Sequence, residues 1–390
     1  LLSGVDVVDQ ARVKRAIPFI LAAAMLPALS ACGVDDDGTP PPPSAESLAA
    51  TAKGDTGASR EGLARAIDGV FANEVGETRA LLVMRDGKVV AERYAEGFGP
   101  ETRHVGWSLT KTVTGVLIGM LIADGSLSLD EPAPLPLWQR SGDPRSEVTI
   151  RELLQMRSGL RHAEGADPSY TADTARMLFL DGRDDMAHYA ATQPLDADPG
   201  SEYDYSTATS VILADVATRA LTPSDRPEVR HAAMATYLQE RLFEPLGMTS
   251  AYPEFDASGT LTGGSMIHAT ARDWATFGEM LRKGGVTHNG TRVVPRKWIA
   301  FMSTPSPTDP AFGAHLWLNR ARPEGRDPVL FPGDAPKSLI AMLGFRGQYV
   351  VVSPEQGLTV VRLGVSSEED QVPLRAAMGA LVASFPLERQ

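Results

Sequence analysis

The run Gly106-Trp107-Ser108-Leu109-Thr110-Lys111 sets a hydroxyl and an amine three residues apart, ahead of an apolar stretch over 113–122 that stops at Gly125. That stretch reads as a helix, which brings Lys111 to the same face as Ser108, one turn away. Ser108 then sits at the helix N-terminus, where free backbone N–H groups and the helix dipole favour developing negative charge. A serine hydroxyl is a poor nucleophile until a base takes its proton. A lysine can be that base once burial or a neighbouring cation lowers its pKa. Taken alone, the pair is better read as a capping serine and a solvated lysine. A third residue shifts the balance. Tyr205, in Pro199-Gly200-Ser201-Glu202-Tyr203-Asp204-Tyr205-Ser206-Thr207, occupies a turn before a helical pattern over 211–221. A phenol near two cations is expected to be partly ionised and to pass protons between nucleophile and leaving group, although a loop tyrosine also serves as packing.

The elements that must hold these residues follow from periodicity. Residues 61–73 read as a helix, and 80–94 alternate about Asp86-Gly87, a hairpin signal. Helical patterns fill much of 108–300, with turn-rich interruptions near 161–170 and 196–203. Strands return over 314–319, 339–343, 348–352 and 358–364, and 372–385 closes the chain as an amphipathic helix. Early strands, a helical middle and late strands predict one antiparallel sheet built from both ends of the chain. The helical middle would form a second lobe, with a cleft between the two.

With 390 residues, 43% hydrophobic and 22% charged, the chain is ordinary globular material for two to three domains or one large catalytic unit. A net charge of -12 leaves no basic surface for a phosphate backbone, so nucleic acid is not an expected partner. The single cysteine, Cys32, excludes an intrachain disulfide. Lys14-Arg15 and the apolar stretch 16–29 have the make-up of a secretory signal, too short for the roughly 20 apolar residues of a membrane span. Its end, Leu29-Ser30-Ala31-Cys32-Gly33, resembles the lipobox of bacterial lipoproteins. That resemblance implies an exported, periplasm-facing protein held to a membrane by lipid on Cys32; the alternative is a cleaved signal with an incidental cysteine. Residues 33–57 are rich in Asp, Gly, Pro, Ser, Ala and Thr and are expected to form a tether. The expected domains are a signal segment over 1–32, a linker over 33–58 and a catalytic domain over 59–390. Within the last, the sheet lobe takes about 59–115 and 300–390, and the helical lobe about 116–299.

The motifs together resemble the serine β-lactamase and penicillin-binding-protein superfamily, whose first motif is Ser-x-x-Lys. Within it, they are most like the class C branch and its esterase and amidase relatives, including 6-aminohexanoate-oligomer hydrolases. The similarity spans about 82–363. Besides Ser108 to Lys111, it rests on Gly125 to Asp130, Thr149 to Leu160 and Pro199-Gly200, then on Tyr205-Ser206, Pro245-Leu246-Gly247-Met248 and Thr270-Ala271-Arg272-Asp273. Gly344-Phe345-Arg346-Gly347-Gln348 completes it. The resemblance implies an α/β (α+β) β-lactamase-type fold, an antiparallel sheet flanked by helices plus a mostly helical second lobe. It also implies Ser108, Lys111 and Tyr205 as catalytic residues, and the backbone N–H groups of Ser108 and Phe345 as the oxyanion hole.

The departures from the pattern are informative. Thr207 stands where class C enzymes have the Asn of Tyr-x-Asn, and Met342-Leu343-Gly344 where they have Lys-Thr-Gly. Losing the cation that holds a substrate carboxylate argues against β-lactams and D-alanyl peptides. Arg346 is then either a substitute cation or a solvated turn residue. Thr207, Met266, Gly344 and Arg346 are candidate substrate contacts, and Tyr170 is a candidate cover for the cleft. Trp107 and Trp317 are read as structural or as walls of an acyl pocket. Neither HExxH nor G-x-S-x-G occurs, so a zinc hydrolase and an α/β-hydrolase are unsupported, and no cofactor is implied. The expectation is a serine hydrolase of a small ester, amide or lactam. A class C β-lactamase or D-alanyl-D-alanine carboxypeptidase, and a catalytically silent surface binding protein, are the alternatives.

Overall fold

Asp86 and Gly87 both take positive φ (49° and 79°), the two-residue turn that matches the twist of a hairpin. They join β1 (Glu77–Arg85) to β2 (Lys88–Tyr94) in a computed structural model that describes residues 40–323 and 326–387. Far along the chain come β6 (Trp317–Leu318), β7 (Ile340–Gly344), β8 (Gln348–Ser353) and β9 (Leu358–Val365). They pair with the hairpin in the order β2-β1-β9-β8-β7-β6, antiparallel throughout, with Leu82 opposite Val361. The two ends of the folded chain thus make one sheet, as the patterning predicts.

Alternation along these strands splits the core in two. Ala80, Leu82, Val350, Val352, Val361 and Leu363 face the helices Leu109–Ala123 and Ala271–Arg282. Leu81, Val83, Val351, Leu358 and Val360 face the helices Arg60–Val70 and Gln371–Ala383. A short second sheet, order β3-β5-β4, joins β3 (His104–Val105), β4 (Tyr252–Pro253) and β5 (Ile267–Ala269). It ends just before the Ser108 loop, where Gly106 N–H donates to the Ile267 carbonyl at 2.8 Å.

Two expectations need correction. The strand expected over 314–319 shrinks to two residues, because His315 turns the chain with φ 56°. The expected linker does not run to 58. Residues from Pro43 onward belong to one compact unit, and Ala45–Ala50 is a helix capped by Ser44. Ser44 and Ser47 bond to the Asp68 carboxylate, and Ser47 is fully buried. Hydrogen bonds rather than apolar side chains hold this segment down, and hydrophobic patterning does not register them. Cys32 and the signal segment lie outside the described residues. Among the described residues, no helix is long and apolar enough to cross a membrane.

Candidate active site

Helix Leu109–Ala123 is buried continuously from Leu109 to Leu121, the mark of a central helix, and it fixes its own first residues in the interior. Ser108 is its N-cap residue but makes no side-chain capping bond, so its hydroxyl is left for other work. The residue before it, Trp107, is held at φ 48°, a left-handed conformation costly for a non-glycine and tolerated where its surroundings impose it. Close approach enforces the turn. A Cβ on Gly106 would lie 2.4 Å from the Trp274 ring, and one on Gly344 would lie 2.4 Å from the Gly106 carbonyl. The end of β7 therefore presses directly on the loop that carries Ser108.

Lys111 is buried, 2% exposed, and all three of its ammonium protons have acceptors. These are Ser108 Oγ at 2.8 Å, Thr207 Oγ1 at 2.7 Å and the Gly264 carbonyl at 3.0 Å. Burial lowers its pKa to about 8, against the opposing pull of the Glu164 carboxylate 3.9 Å away. Glu164 anchors the other side of this cluster. It accepts from the Thr207 backbone N–H at 2.7 Å and the Thr207 hydroxyl at 2.6 Å, and it bonds to Thr174 and His162 at 3.0 Å. The Thr207 amide lies in the first turn of helix Thr207–Leu221, so the carboxylate also meets a helix N-terminus. Burial would raise the pKa of Glu164, but the Lys111 charge and the His162 and Thr207 bonds outweigh it and hold the group at about 2.

Tyr205 completes the constellation. Its hydroxyl hydrogen-bonds with Ser108, and the Lys111 Nζ stands 4.9 Å from its ring centroid. The ring stacks on Trp317 at 5.6 Å and meets Phe312 edge-on at 6.0 Å. Burial, reinforced by the Glu164 charge, pushes the phenol well above its ordinary range. The expectation of a partly ionised tyrosine is therefore overturned: one cation faces the ring, and the carboxylate behind it opposes phenolate formation.

The remaining candidates divide. Gly344 and Phe345 lie beside the nucleophile loop, with the Phe345 ring edge-on to Trp107 at 5.5 Å. Thr207 is 1% exposed and engaged with Lys111 and Glu164, so it orients the lysine rather than greeting substrate. Met342 is 1% exposed in the apolar core, so no cation occupies the third-motif position. Arg346 is exposed on the β7–β8 turn at φ 61°, its guanidinium over the Phe345 ring. Tyr170 is 63% exposed, on a one-turn helix Ser169–Thr171. Met266 is half-buried, and its backbone carbonyl accepts from Glu254 N–H. Trp317 proves to be the stacking partner of Tyr205. Glu164 and His162 were missed by sequence reading. Glu164 and Asp167 share one irregular loop, with Asp173 opening the helix that follows, and no spacing rule distinguishes the carboxylate that reaches Lys111. Among the described residues, no group of three or more His, Cys, Asp or Glu side chains could hold a metal ion.

The β-lactamase family profile matches residues 63–383. The chain belongs to the β-lactamase family. It is 27% identical over 305 residues to a 6-aminohexanoate-dimer hydrolase of Paenarthrobacter ureafaciens, covering 75% of this chain and 74% of that protein. It is 30% identical over 227 residues to the esterase EstB of Burkholderia gladioli, covering 49% of this chain and 53% of that one. A solved structure from Bacillus anthracis, of a candidate 6-aminohexanoate-dimer hydrolase, superposes with a TM-score of 0.62 at 20% identity over 77% of this chain and 78% of that one. The fold is thus the β-lactamase type, and the chain is a serine hydrolase of that family.

Proposed function

We propose that this β-lactamase-family hydrolase cleaves an ester or amide of a small substrate through an acyl-serine intermediate. The observation that carries the reading is the contact of the Lys111 amine with Ser108 Oγ at 2.8 Å, in a setting that lowers the lysine pKa to about 8. With that pKa, roughly one lysine in ten is neutral at pH 7. The neutral amine takes the Ser108 proton as Oγ attacks the carbonyl carbon. The N–H groups of Ser108 and Phe345 receive the oxyanion, a contribution typically worth several kcal/mol. Tyr205, protonated in the free enzyme, gives its proton to the departing alcohol or amine and recovers one from the Lys111 ammonium. Water then reverses the sequence and frees the acid.

Ester and amide bonds suit the site better than lactams that carry a carboxylate. The third-motif position that holds a lactam carboxylate in class C enzymes is Met342 here, in the apolar core, so a substrate carboxylate would have to be held elsewhere. The lipobox-like segment around Cys32 supports an exported, lipid-anchored location, to be checked by palmitate labelling of wild type against Cys32→Ala.

The test of the enzymatic reading is turnover of p-nitrophenyl butyrate by wild type and Ser108→Ala, followed by a panel of amides and a cephalosporin. Turnover lost in the variant supports the reading, and equal turnover in both proteins refutes the nucleophile assignment. Saturable cephalosporin hydrolysis would favour the lactamase alternative. No turnover of any substrate would favour the silent binding protein.

A further inference from the structure

A cavity of about 160 Å³ opens beside the nucleophile loop, where β3, the adjoining ends of β1 and β9, and the β7–β8 turn converge. Its lining includes Arg79, Thr102, Arg103, His104, Trp107 and Arg346. Three arginines border this small space, with the Arg79 guanidinium over the Phe98 ring and the Arg346 guanidinium over the Phe345 ring. Glu77 supplies one counter-charge, 2.7 Å from Arg79. Neither Arg103 nor Arg346 has a carboxylate partner among the described residues.

The second observation is independent of charge. His104 is 8% exposed, and its Nε2 has no hydrogen-bond partner. Buried polar atoms are nearly always satisfied, so an orphan bordering a cavity marks a place for a partner. Burial, with the Arg79 charge added, keeps this imidazole neutral, with a pKa of about 4. A neutral ring can present Nε2–H as a donor. An unpartnered buried ring nitrogen and three arginines therefore belong to residues bordering a space that fits a few heavy atoms, and guanidinium forks match the planar geometry of a carboxylate.

We propose that this cavity is a binding subsite for a small carboxylate. The carboxylate belongs either to the substrate, which would make the hydrolase selective for acidic esters or amides and rests on the acyl-transfer reading, or to a free carboxylate ion held beside the Ser108 loop. Trp107, which lines the cavity, directly precedes Ser108 in the chain.

The test has two arms. Acetate binding to the intact protein is followed by calorimetry at constant ionic strength, in wild type and Arg103→Gln. The proposal expects saturable binding that weakens ~10-fold in the variant, the scale of one charge-assisted hydrogen bond. Turnover of p-nitrophenyl hemiglutarate is then compared with that of p-nitrophenyl butyrate. A preference of ~10-fold or more for the hemiester, competed by acetate, assigns the carboxylate to the substrate. Acetate binding with equal turnover of both esters assigns it to a free ion. Absence of acetate binding, with an ester ratio unchanged by Arg103→Gln, overturns the proposal. Acetate binding without turnover of either ester would sink the hydrolase reading and leave the subsite standing.

Discussion

Two regions meet at Ser108, and they are built differently. On the helical side, bonds of 2.6–3.0 Å join Lys111 to Ser108, Thr207 and the Gly264 carbonyl, and Thr207 to Glu164, leaving no ammonium proton unpaired. On the sheet side, the β7–β8 turn presents an exposed aromatic ring and an exposed arginine, with apolar Met342 behind them. The first region fixes protonation states, since burial and paired charge set the Lys111 and Glu164 pKa values in opposition. The second offers backbone N–H groups and shape. On the proposed mechanism, proton transfer is preorganised in the Lys111 cluster, whereas substrate choice falls to the exposed rim.

Substitutions on the two sides should break this contrast unequally. The largest effect is expected for Lys111→Met, which removes the base while keeping a similar volume. Turnover of p-nitrophenyl butyrate should fall by roughly 10⁴-fold or more, as for other members of a catalytic unit. A fall below tenfold would move proton abstraction to another group. Next comes Phe345→Pro, which deletes one proposed oxyanion N–H and is expected to cost roughly 10²–10³-fold in kcat. If kcat holds and only KM rises, that N–H binds the ground state instead.

Tyr205→Phe keeps the stacking on Trp317 but removes the proton shuttle, with an expected loss of roughly 10²-fold. That loss should be greater for an amide than for a nitrophenyl ester, whose leaving group needs no proton. Equal losses on both substrates would make Tyr205 a packing residue.

The smallest effect sharpens the comparison most, because it is a shift rather than a loss. The kcat/KM profile should rise with pH through about 8, as Lys111 becomes neutral. Glu164 raises the lysine pKa, so Glu164→Gln should move that limb to lower pH. The same residue affects stability. Its folded pKa of about 2 lies below the ordinary 4.5, so its contribution is present above pH about 4.5 and is lost as the pH falls toward 2. Urea midpoints between pH 5 and 2 should therefore be steeper in pH for wild type than for Glu164→Gln.

Much of the first region is legible in the sequence because it is local. Ser108 and Lys111 share a helix face by spacing alone, and Tyr205, which alone would read as packing, is picked out by the family resemblance. The sheet is legible too, since alternation marks each long strand and Asp86-Gly87 marks the hairpin. What escapes is whatever depends on loop conformation. Glu164 reaches the Thr207 hydroxyl, 43 residues away, from an irregular segment that carries other carboxylates. Tyr205 is the opposite case: the sequence shows neither the burial of its phenol nor, second to it, that same carboxylate, and both hold the group protonated. The helix Ala45–Ala50 hides for a related reason, since its docking depends on serine hydroxyls meeting Asp68.

The central claim is that Ser108 is a nucleophile activated by a lysine poised near pH 8. The most direct measurement is the rate of labelling by a fluorophosphonate as a function of pH, with the modified peptide located by mass spectrometry. The account predicts a single adduct on Ser108, formed at a rate that rises through pH about 8 and is nearly abolished in Lys111→Met. Labelling at another residue, or a rate on Ser108 unchanged by the loss of Lys111, would contradict it.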